Sequence, residues 1–117
     1  MRKILTFLFA ALMSASMFAL TPLSGDTWDE GTKTLTVNSD LPYEAYKYQE
    51  EIQHVIINNG VTSIGADAFR YCTGLTSVTC VKETPANLGN DVFYHTHANL
   101  KIYVPAGSVD EIGRAHV

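Results

Sequence analysis

The stretch GVTSIGADAFRYCTGLTSVTCV, residues 60–81, decides the fold, because its apolar spacing recurs on both sides of it. Ile64, Gly65, Asp67 and Phe69 return as Leu88, Gly89, Asp91 and Phe93, and at the same offset Val78 and Cys80 return as Ile102 and Val104. In the other direction the same strand positions are Val55 and Ile57, at an offset shorter by a single position. A near-constant period of this kind marks a solenoid, in which no unit can bury its apolar face alone and each must stack on its neighbours.

Within each unit the pattern divides into a strand and a corner. Residues 54–58 (HVIIN), 77–81 (SVTCV) and 101–104 (KIYV) alternate, which turns Val55/Ile57, Val78/Cys80 and Ile102/Val104 inward. Gly65 is expected to permit a tight corner, and Asp67-Ala68-Phe69 reads as a short helical turn whose Phe fills the core. Pro105-Ala106-Gly107 ends the pairing.

Working outward, residues 26–38 (DTWDEGTKTLTVN) read as a β-hairpin turning at Asp-Glu-Gly, with Trp28 placed to cover the end of the first repeat. Residues 40–53 (DLPYEAYKYQEEIQ) predict a short helix opened by Pro42, with Tyr43, Tyr46 and Ile52 near one packing face. Residues 1–19 have the layout of a cleaved secretory signal: Arg2 and Lys3, an apolar run from Ile4, then the small residues Ser14, Ala15, Ser16 and Ala19. That run is too short and too interrupted for a spanning helix. Residues 111–117 (EIGRAHV) break the repeat and match the translated start of a common sequencing adapter, so they are expected to be a non-native tail. The expected organisation is therefore a signal peptide (1–19), an N-terminal hairpin and capping segment (20–53), repeats (54–110) and the tail.

At this point the residues carry a family resemblance. The string VTSIGADAFRYCTGLTSV, followed by LKIYVPAGSVD, is similar to the BspA-like leucine-rich repeats of bacterial cell-surface proteins, and TWDEGTKTLTV resembles the segment that often precedes their first repeat. Three positions depart from the family pattern: Val81 where proline is usual, Val92 in place of a small residue, and Thr96 in place of cysteine. The resemblance implies a leucine-rich-repeat solenoid, mostly β with short helical turns, of about three stacked rungs preceded by the hairpin cap. It further implies a secreted or cell-surface module for adhesion or protein recognition, with no catalytic residue and no cofactor.

Charge narrows the partners. Between Leu20 and Asp110 stand five basic and eleven acidic residues, a formal charge of −6 without any basic cluster. Such a surface repels phosphate backbones and anionic membranes. Cys72 and Cys80 occupy different points of one unit, and their counterparts in the next, Thr96 and Val104, cannot pair, so buried thiols are expected rather than a disulfide.

No strong chemical constellation emerges. Asp67 and Asp91 share one repeat position and read as caps of the helical turns rather than as the acid–base pair of a hydrolase. His95 and His97 have strand spacing for a shared metal but lack a third ligand, and no Ser-His-Asp or Cys-His set can be assembled. The alternation instead leaves an outward sheet face. One column is Ile56, Thr79, Tyr103 and the column beside it His54, Ser77, Lys101, a mixture of apolar, aromatic and polar groups suited to binding an extracellular protein. The alternative is a carbohydrate or cell-envelope ligand, with Tyr71, Tyr94, His95 and Tyr103 stacking on sugar rings.

Overall fold

The computed structural model describes residues 20–82 and 86–105; the expected signal peptide and tail lie outside the described residues. Seven strands form: β1 (Thr27–Asp29), β2 (Thr34–Val37), β3 (His54–Ile57), β4 (Ser63–Ile64), β5 (Ser77–Cys80), β6 (Asn87–Leu88) and β7 (Lys101–Tyr103). Five build one sheet in the order β1-β2-β3-β5-β7, and β4 and β6 pair in a second. The hairpin is present, with β1 antiparallel to β2; the other pairings of the large sheet are parallel.

The parallel stack begins at β2, one strand earlier than the expected first repeat strand. Leu35 and Val37 pair in register with Val55 and Ile57, which pair with Val78 and Cys80. Each of these six side chains is buried. Alternation explains why: the residues between them, Thr34, Thr36, His54, Ile56, Ser77 and Thr79, keep partial contact with solvent.

Residues 40–53 do not form the expected helix. They run as turns that repeat the corner of the following unit, with Leu41 bridging Ile64 as β4 bridges β6 at Leu88. Tyr46 stands where Phe69 and Phe93 stand in the later corners, and the three rings stack. The core is one cluster running through all of these corners, including Leu41, Tyr46, Ile64, Phe69, Leu75, Val92 and Phe93.

The corners are not helical turns either. Asp67 and Tyr71 have φ of 60° and 62°, and the equivalent pairs Glu44/Tyr48 and Asp91/His95 repeat this left-handed geometry. For residues with a Cβ the left-handed conformation costs roughly 1 kcal/mol or more each. Hydrogen bonds offset the cost: successive N–H groups alternate in direction, so those of Glu44, Tyr46 and Tyr48 donate to the carbonyls of Ala66, Ala68 and Arg70 in the next unit. Asp67, Phe69 and Tyr71 likewise donate to Asn90, Val92 and Tyr94, while the intervening N–H groups bond three residues back within the turn. A helical turn would direct all of them inside its own unit and leave the corners unjoined.

Close approach, not backbone freedom, explains Gly65. A Cβ there would lie 2.5 Å from the carbonyl carbon of Pro42, a backbone atom that cannot swing away.

Candidate functional site

The register of the large sheet sets the outward residues in two rows. One row is Asp29, Thr34, His54, Ser77 and Lys101, and the other Thr27, Thr36, Ile56, Thr79 and Tyr103. All six sequence-selected residues fall in these rows, one strand apart in the expected columns. The rows extend over β1 and β2, adding four residues that the sequence reading had not included. A signal for them existed in the Thr34-Leu35-Thr36-Val37 alternation, which has the same form as Ser77-Val78-Thr79-Cys80.

The face is mostly hydroxyl-bearing, with a charge at each end. Tyr103 is 54% exposed, while Ile56 is half-buried among its neighbours. His54 Nδ1 and Ser77 Oγ are 2.7 Å apart, a contact that ties β3 to β5 on the solvent side. It brings a Ser and a His together where no such set had been expected. Among the described residues no carboxylate hydrogen-bonds His54, so the imidazole lacks the group that orients a catalytic base. Asp29 Oδ1 accepts the N–H groups of Gly31, at 2.9 Å, and Thr32, at 3.3 Å, which fixes its carboxylate at the hairpin end of the face.

The corners carry a second cluster. The rings of Tyr48 and Tyr71 stack at 5.0 Å and 7°, and those of Tyr71 and His95 at 5.2 Å and 9°. Tyr94 meets both Tyr71 and His95 edge-on, and the Arg70 guanidinium lies 4.6 Å from its ring centre. Tyr48 and Arg70 were missed in sequence, because Tyr48 belongs to a unit read as helix. This packing bears on sugar binding. Both faces of Tyr71 are occupied by neighbouring rings, so it lacks the open ring face that a sugar needs, whereas Tyr94 has a guanidinium on one side and is 43% exposed.

Of the remaining candidates, Asp67 is buried and its carboxylate lies 3.3 Å from Arg70, whereas Asp91 is exposed. Neither caps a helix, since the described residues contain none. Among the described residues no group of three or more His, Cys, Asp or Glu could hold a metal ion, and no helix is long and apolar enough to cross a membrane. Cys72 and Cys80 are buried and unpaired. Burial pushes the Cys72 thiol up to about 12 and that of Cys80 upward as well. Each is therefore the un-ionised thiol at neutral pH, a poor nucleophile.

Compared with protein-family models, residues 39–116 match the BspA type leucine rich repeat region, in six copies. No curated protein and no solved structure matches.

Proposed function

The chain belongs to the BspA-type leucine-rich-repeat family, and from that premise we propose that it is a secreted or cell-surface adhesion module, a short solenoid that binds an extracellular protein through its five-stranded face. The observation that carries this reading is the register that lines up His54, Ser77 and Lys101 beside Ile56, Thr79 and Tyr103. In-register pairing, parallel from β2 to β7 and antiparallel at β1, makes ten side chains from five strands one continuous surface, and repeat proteins commonly use such extended surfaces to bind partners. Exposed Tyr103 and half-buried Ile56 supply contact area, and the hydroxyl rows supply hydrogen bonds. In this reading the module acts by binding rather than by turnover: among the described residues the Ser77–His54 pair has no orienting carboxylate, and the thiols are buried.

The test is binding to immobilised extracellular proteins by surface plasmon resonance. Ile56→Ala with Tyr103→Ala should abolish the signal, and Tyr71→Ala with Tyr94→Ala should leave it. The reverse pattern, or retention on a glycan array, would move the site to the corners.

A further inference from the structure

The outward face has an internal symmetry that follows from its strand order. β3 is the central strand of five, with β1 and β7 two strands away on opposite sides, each roughly 10 Å off at the usual strand spacing. A two-fold axis laid along β3 in the plane of the face exchanges β1 with β7 and β2 with β5, and keeps each row on itself. In the first row it sets Asp29 against Lys101 and Thr34 against Ser77; in the second it sets Thr36 against Thr79 and Thr27 against Tyr103. His54 and Ile56 then lie beside the axis, and each meets its own copy. Opposite charges at the ends, paired hydroxyls between them, and Ile56 against its own copy with His54 beside it coincide under this one operation.

We infer that the protein partner of this face is a second copy of the same chain, docked face to face about a two-fold axis along β3. The inference rests on the sheet-face reading above and gives that face its occupant. Isologous contacts require a self-complementary surface, and aligned sheet packing permits the approach. The charges make the pairing specific. In a like-ordered arrangement, with β1 over β1, the partner's Asp29 would stand near Asp29, and Lys101 near the partner's Lys101. The hydrogen bonds from Gly31 and Thr32 hold the Asp29 carboxylate in place before docking, which lowers the ordering entropy lost on contact. Five strands and two rows make a patch well below the roughly 800 Å² per partner of a stable interface. The contact is therefore weak one to one and becomes effective when many copies are displayed together.

The experiment uses microbeads coated densely with the purified chain, read by microscopy. Wild-type beads should cluster, and less so at high salt as the two Asp29–Lys101 contacts are screened. Beads carrying Asp29→Lys alone, or Lys101→Asp alone, should stay dispersed, whereas a mixture of the two should cluster, because both end contacts are then again between opposite charges. Should Asp29→Lys fail to fold by circular dichroism, since it removes the turn acceptor, Ile56→Glu replaces it, placing two carboxylates beside the axis and dispersing the beads. Wild-type beads that never cluster, or clustering indifferent to these substitutions, would overturn self-pairing. The sheet-face reading would still stand or fall on the Ile56 and Tyr103 binding test with other proteins.

Discussion

The ring of Tyr46 stacks on that of Phe69, with centroids 5.8 Å apart and planes 12° from parallel. The two residues are one repeat apart, and the contact joins a segment rich in Tyr and acid to the regular units that follow. Truncating either ring opens the core of a corner that the next unit depends on. Phe69→Ala is expected to cost about 3–5 kcal/mol, and Tyr46→Ala an amount in the same range, measured by urea unfolding. A Tyr46→Ala cost near zero would mean that residues 40–53 are not part of the stacked core.

The Tyr46 hydroxyl has its own task. It donates to Asp26 Oδ2 at 2.6 Å and accepts the Leu23 N–H at 2.8 Å, tying the segment before β1 onto the first corner. Tyr46→Phe leaves a buried carboxylate oxygen without that donor, and should destabilise by about 1–3 kcal/mol. Tyr43→Phe, at a residue 65% exposed, should change stability by less than about 0.5 kcal/mol.

Asp40 links two successive units, accepting the N–H groups of Thr62 and Ser63 and the Thr62 hydroxyl. Foremost the Thr62 N–H, then the Thr62 hydroxyl and the Ser63 N–H, hold its carboxyl below the ordinary range. A carboxyl so depressed contributes stability in full above its ordinary value, and loses it as pH falls through the lower folded-state value. Asp40→Asn should therefore melt below wild type at pH 7, with the gap closing in strong acid. Melting curves from pH 7 down to pH 2 check this.

The buried thiols give the opposite pH dependence. Because burial holds Cys72 protonated in the folded state, its contribution is complete below the ordinary thiol value and is lost as pH climbs toward about 12. Native protein should resist a thiol-specific disulfide reagent at pH 8 and react at both cysteines in denaturant. Reductant should not shift the melting temperature, since neither cysteine is in a disulfide.

Gly65→Ala drives a Cβ into the Pro42 backbone and is expected to cost about 1–3 kcal/mol. At Gly60 the nearest atom to an added Cβ, the Asn38 carbonyl oxygen, is 3.6 Å away, an ordinary contact. Gly60→Ala should be neutral, or stabilising by about 0.4–1 kcal/mol through the unfolded chain. Equal effects at the two sites would remove close packing as the reason for Gly65.

The strands were legible because alternation is a local signal: Val55/Ile57 and Val78/Cys80 announce both the buried side and the register that places Ile56 next to Thr79. The corner of residues 40–53 was harder to see, since Pro42 stands at the position of Gly65 and Tyr46 at that of Phe69, and a Pro followed by aromatic residues three apart also suits a short helix. A comparison one repeat apart, Leu41 with Ile64 and Tyr48 with Tyr71, would have exposed the unit. The stacking of Tyr48, Tyr71 and His95 was legible only as a spacing. That Tyr48 and His95 cover the two faces of Tyr71, and so withhold that ring from a sugar, depends on the left-handed backbone at each of them.

The repeat period, the buried strand positions and the family were determined by the sequence alone, because burying one side of a strand leaves a two-residue alternation and stacking identical corners leaves a repeat. Tertiary structure decided the rest. The first two corners became left-handed turns rather than helical ones because every second N–H in them is satisfied in the next unit, a full repeat away in the chain. The charges of Asp29 and Lys101 acquired a common face only when β1 folded back on β2 and five strands aligned. Local sequence cannot encode such pairings residue by residue, since each hydrogen bond and facing charge exists only after the distant unit has docked.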